Sequence, residues 1–149
     1  MYKNILLAYD GSEADQKALL ACKELANWSS ANITLLSVST NNYHVSMEIV
    51  GGFVTQDEME IDEEAQREIL DTGVQSLRSG GYNVTGVCLR GDPAFEIAQF
   101  AKKNNADLII VGHKHRTNWA ARWWGGARSK ALIELSHCSV LIVILDEAA

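Results

Sequence analysis

Five short apolar runs alternate along the chain with stretches of helical period. Asn4–Tyr9 (NILLAY), Ile33–Val38 (ITLLSV), Leu108–Val111 and Ser139–Leu145 (SVLIVIL) are apolar on both faces, the pattern of buried parallel strands. Tyr82–Leu89 alternates as a fifth strand, weakened by Gly86. Between the first two runs, Ser12 stands as an N-cap with Asp15 three residues on, a capping box. The helix it opens carries Ala18, Leu19, Cys22, Leu25 and Ala26 on one face and ends at Ser29-Ser30. A second helix starts from the Thr55/Glu58 box, presents Ile61, Ala65, Ile69 and Leu77 inward, and stops at Gly80-Gly81. A third begins at Asp92-Pro93, turns Ile97, Ala98 and Ala101 inward, and ends at Asn104-Asn105. The strand Leu108–Val111 stops at Gly112, and Gly125-Gly126 opens a fourth helix. The order β-α-β-α-β-α-β-α-β predicts one α/β domain over residues 1–149, an open parallel sheet with helices on both faces. In such sheets ligands bind beyond the carboxyl ends of the strands, where strand order reverses. Those ends are Asp10, Val38-Ser39, Arg90-Gly91 and Gly112.

Composition narrows the partners. The formal net charge of −6 argues against general affinity for nucleic acid or an anionic membrane. The charge is uneven, however. Five cations and no carboxylate lie between Lys114 and Lys130, whereas Asp57–Glu64 holds six carboxylates in eight residues. A basic patch on an acidic protein suits a small anion better than a polyanion. No apolar run approaches a membrane span and MYKNILLAYDGS has no signal-peptide pattern, so a cytoplasmic protein is expected. Cys22, Cys88 and Cys138 lack any ligand spacing and read as reduced core thiols.

The candidate chemistry gathers at the glycines. A phosphate needs backbone N–H groups at close approach, which Gly112, Gly125 and Gly126 permit, and a helix starting near Gly126 would aim its positive end at the anion. Equally, Gly112 could simply end a strand and Gly125-Gly126 could cap a helix over Trp119–Trp124. Asp10 could accept a hydrogen bond from a sugar or an adenine amine, or serve the turn alone. Trp119, Trp123 and Trp124 stand at helical spacing and read as a packing or dimer face. His113 and His115 have no companion ligands, so no structural metal is expected, and no nucleophile–base pair can be placed. Neither a Walker loop nor GxGxxG occurs, and a receiver domain would need paired acids after the first strand. The long segment Ser39–Thr55 reads as a loop, of a length that is often functional or mobile.

These residues together resemble the universal stress protein family: NILLAYDGS, ITLLSVST, GDPAFEIA, DLIIVGHKH and SVLIVIL recur in that order over essentially the whole chain. The resemblance implies a Rossmann-like, three-layer sheet of strand order 3-2-1-4-5 and a homodimer through the last strand, whose apolar edge invites pairing. Many relatives bind ATP through G-x-x-G-x9-G-[ST]. Laid on this chain, that motif begins at Gly112, meets His115 in place of its second glycine, reaches Gly125, and has Gly126 in place of its hydroxyl residue. The adenosine contacts would fall on Ala8, Tyr9, Asp10, Val38 and Val111, and the phosphates on Gly125, Gly126 and Ala127 with Arg116 nearby. The implied ligand is ATP, with Mg, or AMP, in a binding module rather than an enzyme. A second branch of the family lacks the glycine motif, and the segment from Gly112 to Ile133 resembles it in its Gly-His start and later Ala-Arg pair. That branch implies a nucleotide-free dimeric scaffold acting through protein partners.

Overall fold

The computed structural model describes residues 2–39, 56–115 and 130–146. Its strands are β1 (Asn4–Ala8), β2 (Asn32–Ser39), β3 (Val84–Arg90), β4 (Leu108–His115) and β5 (Ser139–Asp146). The helices are α1 (Glu13–Ser29), α2 (Gln56–Ser79) and α3 (Pro93–Lys103), with a fourth, α4, described over residues 130–135. All strand pairs are parallel and the sheet order is β3-β2-β1-β4-β5.

Strand alternation divides the core into two layers. Ile5, Leu7, Ile33, Leu35, Leu108 and Ile110 face α1 and α2, while Leu6, Leu36 and Ile109 face α3 and α4. Because both faces are covered, the strands must be apolar throughout, which is why they read as unbroken hydrophobic runs. The helix ends follow local chemistry. Ser12 Oγ accepts the Asp15 N–H at 3.3 Å, and Asp92 Oδ2 accepts the Phe95 N–H at 3.0 Å with Pro93 at the first helical position. Ser30 closes α1 in the left-handed conformation, its N–H donating to the Ala26 carbonyl. At the amino edge of the sheet, Asp107 accepts the N–H groups of Lys3 and Asn4 at 2.7 and 3.1 Å, tying β1 to the start of β4.

The structure departs from the sequence expectations in four places. β4 does not stop at Gly112 but runs on to His115, with Gly112 paired to Val143 of β5. The inward stripe of α2 is Leu70, Val74 and Leu77, with Gly73 between them; Ala65 is exposed and Ile69 is turned toward the β1–α1 turn. Of the three cysteines, Cys22 is buried and its thiol is pushed up to about 12 by burial, Cys138 is partly buried, and Cys88 is exposed on the edge strand β3. The capping box is half formed, because Asp10 rather than Asp15 takes the Ser12 N–H.

Gly73 explains the shift of the α2 stripe. A methyl group there would stand 2.8 Å from Tyr9 Cε1 and 3.0 Å from Leu35 Cδ1, so the helix lies on the ring of Tyr9 at a distance only glycine allows. Tyr9 is itself buried, so its ring cannot swing clear. Gly73→Ala is expected to destabilise by about 1–3 kcal/mol through overpacking, partly offset by alanine's better helix propensity of about 1 kcal/mol. Urea unfolding measures it, and a Tyr9→Leu background should remove most of the penalty.

Candidate functional site

β1 lies in the middle of the sheet. The chain moves outward from it to β2 and β3, then crosses back to place β4 on its other side. Strand order therefore reverses at β1, and the crevice lies beyond the carboxyl ends of β2, β1 and β4. On the α3/α4 face the last apolar side chains of these strands are Ala8, Val38 and Val111, each partly buried against that core layer, with β4 running on past Val111 to His115. Ala8 is paired with Leu36, two residues before Val38, and Val111 follows the Leu7–Ile110 pair. A small and two β-branched side chains thus form an apolar floor at the reversal point.

Asp10 borders that floor. Its side chain is exposed, its Oδ1 accepts the Ser12 N–H at 2.8 Å, and its own N–H donates to Asp15 Oδ2 at 2.7 Å. Gly11 continues the turn at φ +82°, and a methyl group there would lie 2.6 Å from Ile69 Cγ2, so both backbone angle and space require glycine. The turn holds Asp10 at the strand end by hydrogen bonds from both sides.

Asp15 is the residue that sequence reasoning missed. As the third residue of α1 it was expected to reach back to the N–H of Ser12, but Asp10 already holds that donor. The Asp15 carboxyl group instead takes the N–H of Asp10 at its Oδ2 and lies against the backbone of Gly112 on β4, beside the Asp10 carboxyl group. It is 7% exposed. Burial pushes its pKa up to about 8, with the Asp10 carboxyl group adding to the rise and the amides of Asp10 and Gly112 opposing it. A signal for this existed. Asp15 shares a helical stripe with Leu19, Cys22 and Ala26, so the acid falls on the buried face.

Gly112 proves to be a close-approach glycine inside a strand. A methyl group at this position would stand 2.5 Å from the carbonyl carbon and oxygen of Ala14 and 2.6 Å from Asp15 Oδ1. The first turn of α1 rests directly on the β4 backbone.

Of the adenosine residues named from the sequence, Ala8, Asp10, Val38 and Val111 come together at the reversal point, with Gly112 behind them on the α1 side. Tyr9 does not bring its ring there. The ring lies in the α1/α2 core layer with Gln16 Nε2 donating to its hydroxyl at 2.6 Å, and burial above all raises its pKa. The backbone of His115 pairs with Asp146 at the end of β4. Arg116, Gly125, Gly126, Ala127, the three tryptophans of that segment and the stretch 40–55 lie outside the described residues. Among the described residues, no group of three or more His, Cys, Asp or Glu side chains could hold a metal ion, and no helix is long and apolar enough to cross a membrane.

Comparison with known proteins agrees with this geometry. The model of the Universal stress protein family matches residues 1–143. The chain is 32% identical over 149 residues to universal stress protein YxiE of Bacillus subtilis, covering 96% of this chain and 99% of that one. A universal stress protein structure from Burkholderia pseudomallei superposes with a TM-score of 0.74 at 23% identity, covering 95% of this chain and 96% of that chain. Two others are nucleotide complexes. One, from Archaeoglobus fulgidus with dAMP, has a TM-score of 0.65 at 18% identity, covering 95% and 98% of the two chains. The other, with cAMP, has a TM-score of 0.66 at 18% identity, covering 96% and 97%. A family match over nearly the full length, on a sheet of the matching fold, places this chain in the universal stress protein family.

Proposed function

We propose that this protein is a cytoplasmic stress-response module that binds an adenine nucleotide, AMP or ATP with its Mg, at the carboxyl edge of the sheet, without turning it over. The observation that carries the reading is the apolar floor of Ala8, Val38 and Val111 with the Asp10 carboxyl group beside it, at the point of strand reversal. A purine is flat and apolar on its faces and carries donors at its rim, so a floor with one acceptor at its margin suits it. The dAMP and cAMP complexes of the fold relatives support the same ligand class. The phosphates would extend toward the basic segment between Lys114 and Lys130.

Calorimetric titration with AMP and MgATP tests the reading. Asp10→Asn should weaken binding by roughly tenfold or more. With Oδ1 held by the Ser12 N–H, the variant turns an amide donor toward the ligand's own donor, a loss of about 1.4 kcal/mol or more. No heat from the wild type with either nucleotide would leave the nucleotide-free scaffold.

The module is proposed to work as a homodimer. β5 is an edge strand, apolar from Val140 to Leu145, and Ile144 is 45% exposed on it. Such an edge pairs readily with a copy of itself about a two-fold axis. Ile144→Lys should shift the protein toward monomer in sedimentation at micromolar concentration; a wild type already monomeric there argues against the dimer.

A further inference from the structure

We propose that Lys17 sets the register in which two copies of β5 pair, by capping the Ile144 carbonyl and leaving Val140 and Ile142 to form the ladder. The inference rests on the homodimer reading above and adds to it a two-fold axis at Leu141.

The direction of each backbone group on β5 follows from hydrogen bonds elsewhere in the sheet. Along a strand, successive residues turn their N–H and C=O groups to opposite sides. The Asn32 N–H donates to the Lys3 carbonyl, and the Tyr9 N–H to the Leu36 carbonyl. The odd residues of β1 therefore serve β2, and its even residues serve β4. In a parallel pair, a residue that bonds across stands opposite one that points away. Ile5 is paired with Leu108, so the even residues of β4 bond β1 and its odd residues bond β5. Ile109 is paired with Val140, so the odd residues of β5 bond β4. Val140, Ile142 and Ile144 then aim their N–H and C=O groups at the free edge.

One of these groups is already taken. Lys17 Nζ donates to the Ile144 carbonyl at 2.8 Å, reaching it from α1. Ala18 and Leu19 beside it are buried, so the base of the lysine is fixed relative to β5. A lysine at a sheet edge obstructs strand addition, and this one obstructs only the carboxyl end of β5. Leu20, on the same face of α1 as Lys17, is exposed, so a copy docked on this edge also covers apolar surface.

Two antiparallel strands about a two-fold axis exchange paired hydrogen bonds between outward residues. An axis at Ile142 would join Val140 to Ile144 of the other copy. An axis at Val143 would join Ile142 to Ile144, and one at Ile144 would join that residue to itself. All three need the carbonyl that Lys17 holds. An axis at Val140 would set Ile142 against Cys138, which precedes the strand. An axis at Leu141 joins Val140 to Ile142 in both directions, within the strand and without Ile144. That is the register Lys17 leaves.

Hydrogen exchange in the unsubstituted dimer tests it. The Val140 and Ile142 amides should exchange about tenfold or more slowly than the Ile144 amide, which an axis at Ile142, Val143 or Ile144 would protect. Lys17→Met keeps the stem and frees the carbonyl, and should slow Ile144 exchange by a similar factor as those registers open. Lys17→Arg keeps a donor and should leave it fast. Crosslinking reads the axis directly. At a two-fold axis, a pair without hydrogen bonds brings its Cα atoms to about 4.5 Å, within disulfide reach. In a Cys88→Ser, Cys138→Ser background, with Cys22 buried, Leu141→Cys should crosslink under mild oxidation. Val143→Cys should not, until Lys17→Met is added. A protected Ile144 amide in the unsubstituted dimer, or exchange and crosslinking unchanged by Lys17→Met, overturns the register and leaves the dimer standing. Sedimentation of the unsubstituted protein as a monomer at micromolar concentration overturns the dimer reading, and the register with it.

Discussion

Gly112→Ala is expected to destabilise the protein by at least about 3 kcal/mol, the upper end of the usual range for overpacking. Most added methyl groups meet side chains that can turn aside. Here the new carbon meets the Ala14 carbonyl carbon and oxygen at 2.5 Å, which are backbone atoms of a helix start. Relief would require moving α1 away from β4. That motion would open the layer in which Ala18, Leu19 and Cys22 pack on Leu108 and Ile110. It would also pull Asp15 off the Gly112 amide, leaving a buried carboxyl group short of a partner. The variant should therefore be worse than Gly73→Ala, where the obstructing atoms belong to side chains. Urea unfolding of the two variants ranks them. A Gly112→Ala protein within about 1 kcal/mol of wild type would show that α1 and β4 are less closely apposed than described.

The second large effect concerns pH. The Asp15 carboxyl group titrates near 8 in the folded protein against an ordinary value of 3.8, so between these values the folded state holds a proton that the unfolded chain has released. Stability contributed by this group is full below about pH 4, declines as pH rises toward 8, and is flat above that. The helix dipole and the two amides favour the charged form, but burial and the Asp10 carboxyl group outweigh them. Asp15→Asn removes the titration. Its amide can accept only one of the two N–H groups that the carboxyl group faces, which costs on the order of 1 kcal/mol at pH 5. Above pH 8 the wild type carries a buried charge that the variant lacks, and the order should invert, with the variant more stable by a few kcal/mol. Thermal unfolding of both proteins across pH 5 to 9 checks for the crossing. Parallel curves would show that Asp15 does not hold its proton in the folded state.

Much of the candidate site, which the family resemblance named, lies on strand ends. Ala8, Val38 and Val111 sit at the carboxyl ends of apolar runs, and alternation within each strand puts all three on one face. Asp10 follows its strand directly, so the turn had to bring it to the same edge. Asp15 was misread because the capping-box pattern is a local rule. It assigns the acid to the nearest free N–H, and it has no knowledge that Asp10 already holds the Ser12 donor or that β4 brings a second one. Tyr9 was placed at the ligand edge by the family resemblance. Alternation turns its ring to the opposite face, into the core below Gly73.

By itself the sequence determined the elements, their order and the parallel sheet. Each of these depends on hydrophobic period and on caps, and those are properties of residues close together in the chain. Only the tertiary structure decided what the glycines are for. Gly112 reads as the end of a strand and Gly73 as a weak point in a helix, yet each marks a place where one backbone meets a neighbour from a distant part of the chain. Gly86 is the same: a methyl group there would lie 2.9 Å from Val74 of α2, which is why an otherwise weakened strand carries it. The raised pKa of Asp15 has the same origin. Burial depends on what covers a residue, and the cover over Asp15 comes from β4, nearly a hundred residues away in the chain.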